Sequence, residues 1–329
     1  MNASHPESAT AGQTARSDGD ERARLEAFIA AECFQPIPAD ALLLARHLGE
    51  RAGVKAMVFY GSGLWGAGGA DTVYDFYVLV DRFRDWNTHR ALRVAGSVLP
   101  PNVYYLEIES GGRKLRCKYA VMRLRQFTSA AAGKSVTPHI WARFSQPCRL
   151  LHVRDAQIVA QLVGALADAV VEFHRRTLPL VTDVSIADFW AAGLRSTYRS
   201  EIRSEKPGRA KRLTETGSAA LFARTRLALP LCHPKGFLGA DERVHSKFTR
   251  HERRVFRWKL SALRPLQKLV VLGRLIKAGF TFQGGLDYAR WKIERHSGVS
   301  IPVTDFQRRH PVIAGLFLFL KALRRGGLR

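Results

Sequence analysis

Two short apolar runs constrain this chain more than any other feature. Residues 54–60 and 73–81 are rich in β-branched and aromatic side chains and read as buried strands. The first ends directly in Gly61-Ser62-Gly63, and the second holds one carboxylate, Asp75; a Gly-rich stretch, residues 66–69, lies between them. A strand that ends in Gly-Ser and turns into a helix offers backbone N–H groups, a hydroxyl and a positive helix end to a single anion, which is a phosphate cradle. Twelve residues separate Ser62 from Asp75. If the two strands are neighbours, the carboxylate comes beside the bound phosphate, where a divalent cation can bridge both. Gly-Ser alone is more often a plain turn. A carboxylate inside an apolar strand, however, is costly without a cation or several donors nearby, and the pairing carries the functional reading.

Around these runs the pattern is α/β. Helical spacing predicts helices over 20–31, 40–51 and 86–97, and strands over 103–109 and 115–122 joined by a Gly111-Gly112 turn. From about residue 155 long helical periods take over, at 157–173, 186–205, 210–227 and 266–278. A length of 329 residues suits two cores. The expected organisation is a disordered tail over 1–20, an α/β domain over 21–152, a mostly helical domain over 153–304 and a basic amphipathic, membrane-associating helix over 305–329.

Further candidates follow from the strands. Glu107 and Glu109 fall on one face of the third strand, and Glu107 is the expected second metal ligand, with a solvated edge face as the equal alternative. Lys118 sits between Cys117 and Tyr119 in a half-buried run, which suits a phosphate contact. His89 and His139 lack a second ligand at metal spacing and read as surface histidines. Cys33, Cys117, Cys148 and Cys232 have neither zinc spacing nor the density of a disulfide framework.

Apolar residue, Gly-Ser, about a dozen residues, then a strand aspartate resembles the signature of polymerase-beta-type nucleotidyltransferases, which continues as Asp-x-Asp. Here Tyr77 stands in place of the second carboxylate, and Asp81, six residues of strand farther on, lies about 20 Å from Asp75. Tyr60-Gly61-Ser62-Gly63, Asp75-Phe76, Val80-Asp81, Trp86, Asn102-Val103-Tyr104-Tyr105, Lys118-Tyr119 and Arg143 followed by Pro147 together resemble, in order and spacing over about 54–152, the mitochondrial translocator assembly and maintenance proteins and their bacterial relatives, which are phosphatidate cytidylyltransferases. Phe282-Gln283-Gly284-Gly285, Tyr288-Ala289 and Lys292 resemble that family's C-terminal turn and helix. Where the family has Asn-Pro after the paired tyrosines, this chain has Leu106-Glu107.

The resemblance implies a polymerase-beta-like fold and the transfer of CMP from CTP to phosphatidic acid, giving CDP-diacylglycerol and pyrophosphate with Mg2+. Tyr60, Gly61, Ser62 and Gly63 would hold the triphosphate, Asp75 the magnesium, and Lys118 and Arg143 would neutralise phosphate charge. No catalytic base is needed, since the attacking phosphate is already an anion.

The net charge of +24 is uneven: residues 251–329 carry 17 Lys or Arg against 4 Asp or Glu. Such a field attracts an anionic polymer or an anionic lipid surface. The apolar run over 312–320 is roughly half the length of a membrane-spanning helix, so no transmembrane segment is expected. With Phe317 and Phe319 in the run and Lys321, Arg324 and Arg325 after it, this segment is expected to lie in the headgroup region of an anionic membrane, or else to dock as a terminal helix. Together with the absence of a signal core, this predicts a cytoplasmic protein associated peripherally with the inner face of the membrane. The alternatives are a nucleotidyltransferase acting on RNA or a small hydroxyl acceptor, and a non-catalytic lipid- or nucleic-acid-binding protein. The lack of an RNA-binding signature argues against nucleic acid.

Overall fold

The computed structural model describes residues 7–64, 72–86, 89–198 and 218–281. They form mixed α/β structure with one five-stranded sheet, one three-stranded sheet and many helices. The described residues divide into two compact units: one from 7–36, 125–150 and 155–269, the other from 37–124, 151–154 and 270–281. The units are interleaved along the chain, so the boundary expected at 152/153 falls inside a strand and the first helix belongs with the helical unit.

The sheet unit begins with α1's successor, α2 (Ala39–Gly49), where α1 is Glu7–Cys33. Its strands are β1 (Val54–Tyr60), β2 (Val73–Val80), β3 (Asn102–Ser110) and β4 (Arg113–Arg123), with α3 (Arg90–Val98) between β2 and β3. β5 (Arg149–Val153) completes the order β3-β4-β2-β1-β5. β1 and β2 pair antiparallel, β2 and β4 parallel, and β3 and β4 antiparallel. The apolar runs that mark β1 and β2 supply the core: Ala56, Met57, Val58, Phe59, Phe76, Val78, Leu79 and Val80 are fully or almost fully buried. Such continuous apolar strands suit the inside of a sheet covered on both faces. Gly111 and Gly112 adopt φ of 57° and 71° in the β3–β4 turn, a conformation that favours glycine.

The helical unit is built on α6 (Ala156–Thr177). Asp155 caps it, accepting from the Ile158 N–H at 2.9 Å. Phe173 of α6 stacks on Trp190 of α7 (Ile186–Tyr198), with ring centroids 4.3 Å apart. α1 lies along α6 and is tied to it by Arg22, which donates to Asp168 and to the Gly164 carbonyl, each at 2.8 Å. α4 (Leu124–Ala131), α5 (His139–Phe144) and α8 (Ser218–Ala228) complete the cluster. β6 (Asp183–Ser185), β7 (Gly236–Leu238) and β8 (Arg243–Ser246) form a small sheet in the order β6-β8-β7. α9 (Arg250–Thr281) runs through Pro265 and begins far before the residue 266 expected from periodicity. The four cysteines are buried and unbridged. By length and composition 156–180 could cross a membrane, yet 61% of its apolar window is buried in the unit, as in a core helix.

Candidate functional site

Register decides what the sequence could state only as a condition. Tyr60 lies opposite Asp75, Asp75 opposite Lys118, and Lys118 opposite Tyr105. Side chains opposed across neighbouring strands share a face, so these four form one row across β1, β2, β4 and β3. At the usual strand spacing it is about 14 Å long. All four residues are half-buried. Tyr77, two residues beyond Asp75 and on the same face, packs its ring 5.4 Å from that of Tyr60.

The Gly-Ser end of β1 meets this row at Asp75. Gly61 has φ 89°, and a Cβ there would stand 3.3 Å from Asp75 Oδ2. Glycine is therefore required twice over, by the backbone conformation and by the close approach of backbone to carboxylate. A Cβ on Gly63 would stand 3.3 Å from the rings of Phe59 and Tyr74, so this glycine also serves packing. The chain continues as a single 3₁₀ turn, Ser62–Leu64, with the Leu64 N–H donating to the Gly61 carbonyl at 3.2 Å. Ser62 is exposed. An anion at this turn would meet backbone N–H groups and the Ser62 hydroxyl, with Asp75 one strand spacing away and Lys118 two, about 10 Å.

Glu107 has a different setting. It lies opposite Arg116 on β3, separated from β2 by the whole of β4. Lys114 approaches its Oε1 at 3.0 Å, and Arg116 and the Tyr105 hydroxyl donate to its Oε2 at 2.9 and 3.1 Å. Burial works against its ionisation, but the hydrogen bonds from Lys114, Tyr105 and Arg116 prevail and hold the carboxyl below its usual range. Burial, then the charge of Glu107 and the hydrogen bond to it, pushes the Tyr105 phenol above its usual range. Two strand spacings, about 10 Å, thus part Glu107 from Asp75, and the structure does not bring the two carboxylates expected to share a metal together. Among the described residues no group of three or more His, Cys, Asp or Glu is placed to hold a metal ion. The donor set at Asp75 fits Mg2+ in its sparing mode, one carboxylate with the remaining positions filled by phosphate and water.

The other residues of the sequence pattern divide by face. Tyr104 stacks on Tyr119 at 5.3 Å, Trp86 meets Tyr119 edge-on at 5.9 Å, and the Arg51 guanidinium lies 4.8 Å above Trp86. These aromatics form the packed side of the sheet, and burial pushes the Tyr119 phenol up to about 12. Asn102 is fully buried; it donates to the Leu92 carbonyl at 3.1 Å and accepts from Lys277 of α9 at 3.0 Å. Burial, then the charge of Arg274, lowers the Lys277 ammonium to about 8. Arg274 itself is close enough to Tyr77 to interact with its phenol electrostatically. Sequence reasoning did not single out Arg274, one of many basic residues along this helix.

Arg143 lies on α5 in the helical unit and is half-buried. His89 is exposed, while His139 is half-buried with Nδ1 2.9 Å from the Thr137 hydroxyl. Phe317, Phe319, Lys321, Arg324 and Arg325, and the Phe282 to Lys292 pattern, lie outside the described residues. Comparison with known protein families and with curated proteins finds no match for this chain.

Proposed function

We propose that this chain is a magnesium-dependent nucleotidyltransferase of polymerase-beta-like type, and specifically a phosphatidate cytidylyltransferase. The observation that carries the reading is the register Tyr60–Asp75–Lys118 beside the glycine turn Gly61-Ser62. A strand carboxylate, an ammonium and a phosphate-sized turn within one sheet face are what a triphosphate site needs, and the sequence pattern supplies the substrate class. Magnesium, when bound, would be held by Asp75 and would draw charge from the triphosphate.

The chain's own residues have mainly positioning to do. The backbone at Gly61 and the Ser62 hydroxyl orient the triphosphate, and Lys118 balances its charge on the far side of Asp75. A phosphate oxygen of phosphatidic acid attacks the α-phosphorus of CTP; that P–O bond forms as the bond to the β-phosphate oxygen breaks and pyrophosphate leaves with the electron pair. The attacking oxygen is an anion, so no side chain has to remove a proton. Access to the lipid is assigned to the basic, apolar segment 305–329 at the inner face of the membrane.

The test is pyrophosphate release from CTP by the full chain on vesicles containing phosphatidic acid, with and without Mg2+ and with the other three nucleoside triphosphates. Release that needs both Mg2+ and phosphatidic acid supports the reading. Release with an RNA or small hydroxyl acceptor instead moves the substrate class, and no release with any acceptor leaves a binding protein.

A further inference from the structure

A second cationic site lies within the helical unit, apart from the residues discussed so far. α7 and α9 line a cleft of about 380 Å³ with Arg195 and Ser196 on one side, Arg257, Ser261 and Arg264 on the other, and Leu180 among its apolar lining. Residues 257, 261 and 264 recur at helical spacing and fall on one face of α9. Residues 195 and 196 sit near the end of α7. A narrower cleft adjoins it, sharing Leu180, Ser196, Leu260 and Arg264. Its own arginine, Arg176, is already engaged: it donates to Glu172 at 2.6 Å and lies 5.6 Å from the Trp141 ring.

Among the described residues no acidic one lines either cleft. Among the described residues no carboxylate forms an ion pair with Arg195, Arg257 or Arg264, in contrast to Arg176, Arg224 and Arg243 of the same unit. Three arginines line this one cleft, Arg195 and Arg257 exposed and Arg264 half-buried, so their positive charges would favour an anion seated in it. Guanidinium forks match phosphate oxygens two at a time, and serine hydroxyls add single donors. The volume falls within the range of small-ligand pockets and exceeds a lone phosphate.

We propose that this cleft binds a phosphomonoester group. The proposal stands independently of the nucleotidyltransferase reading, because no residue of the Asp75 row takes part. The phosphate could arrive on a lipid headgroup or on a soluble metabolite; the chemistry recognised is the same dianion, and the two sources are separated by experiment. Trp258, 69% exposed, and Val255 stand on the neighbouring face of α9, which places apolar surface next to the cleft.

The experiment uses the full chain and two probes: inorganic phosphate by titration calorimetry, and co-sedimentation with phosphatidylcholine vesicles carrying either phosphatidic acid, a monoester, or phosphatidylglycerol, a diester, at matched surface charge. Arg195→Gln, Arg257→Gln and Arg264→Gln are made singly and together. A control removes the same charge outside the cleft, as Arg254→Gln, Lys259→Gln and Lys268→Gln combined. Each cleft substitution should weaken phosphate binding by about tenfold, the size of a charge-assisted hydrogen bond, and the triple variant should abolish it. If the source is lipid, the unmodified chain prefers phosphatidic acid vesicles and only the cleft variant loses that preference. Phosphate binding lost in the cleft variant without any vesicle preference assigns a soluble source. Equal losses in cleft and control variants, or a triple cleft variant that binds phosphate as the unmodified chain does, would overturn the proposal; far-ultraviolet circular dichroism verifies that each variant is folded.

Discussion

The polar cluster buried beneath α1 and the polar row on the five-stranded sheet solve the same problem in opposite ways. In the cluster, Arg224 is 1% exposed and Glu32 6%; the guanidinium donates to Glu32 and to the Ser145 carbonyl, while Arg149 donates to Gln35 at 2.7 Å. Charged groups there are answered by other groups of the same unit, so the arrangement is closed. Tyr60, Asp75, Lys118 and Tyr105 are half-buried and lie beside an exposed turn, so solvent reaches this row even though its members have partners of their own, such as Glu107 for Tyr105. Polar residues in apolar surroundings therefore mark either architecture or chemistry, and what separates the two is whether solvent can still reach them.

The sharpest break of that comparison is Arg224→Leu. It strands Glu32, whose carboxyl is already raised by burial against the opposing pull of Arg224. Removing one partner of a buried ion pair costs about 3–5 kcal/mol. Urea unfolding should show this loss, and Glu32→Leu combined with Arg224→Leu should recover most of it. A double variant as unstable as the single one would mean that the cluster is not closed in the sense argued.

Asp75→Asn should behave the other way. It keeps the shape of the row and removes the charge expected to hold magnesium, so turnover should fall about a thousandfold, equivalent to about 4 kcal/mol, while the urea midpoint barely moves. Near-normal turnover in a folded variant would remove Asp75 from the site, and a large stability loss would place it with the closed clusters.

His174 extends the closed category to pH. It is fully buried, with Nδ1 2.8 Å from the Val170 carbonyl and Nε2 3.1 Å from the Thr225 hydroxyl. Burial is the main cause that lowers its pKa to about 4 from an ordinary 6.5. The unfolded chain takes up a proton near 6.5 that the folded chain refuses until about 4. Stability from this group is therefore complete above about pH 6.5 and falls as pH drops toward 4, by about 3 kcal/mol. Unfolding free energies measured across that window should slope downward toward acid, and His174→Gln should flatten the slope. An unchanged slope would assign the acid sensitivity to other groups.

How far this was legible in the sequence depends on the range over which the signal acts. β1 and β2 were legible because runs of seven and eight residues, each broken by one charged residue only, Lys55 and Asp75, outweigh other preferences, and β3 and β4 because Gly111-Gly112 fixes their hairpin. The proximity of Gly61 to Asp75 followed once those strands paired. β6, β7 and β8 were not legible: strands of three or four residues carry too little pattern, and β6 pairs with β8 some 60 residues away. α1 belongs to the helical unit through Arg22 and Asp168, 146 residues apart, a tie that no local periodicity records. The apolar periodicity of α9 shows only from residue 266, whereas the helix begins at Arg250 and passes through Pro265. The row itself needed register, since Tyr105 joins it only through β4.

Glu107 gives the smallest expected effect and the finest test of where the open site ends. Sequence reasoning left it equally between magnesium and a solvated edge face, and the structure surrounds it with Lys114, Arg116 and Tyr105 on the edge pair β3–β4. Exposed ion pairs of this kind contribute between nothing and about 1 kcal/mol. Glu107→Gln keeps hydrogen-bond acceptance at one oxygen and removes the charge, so stability should change by less than about 1 kcal/mol. If the carboxylate only orders the edge, the magnesium concentration that half-saturates turnover should stay the same and turnover should change by less than about threefold. If Glu107 instead takes part in holding the metal when nucleotide binds, the half-saturating magnesium concentration should rise by an order of magnitude or more. A magnesium titration of Glu107→Gln beside Asp75→Asn reads the two outcomes directly, because a shared ligand set would make both variants respond to added metal, whereas a structural Glu107 would leave that response to Asp75 alone.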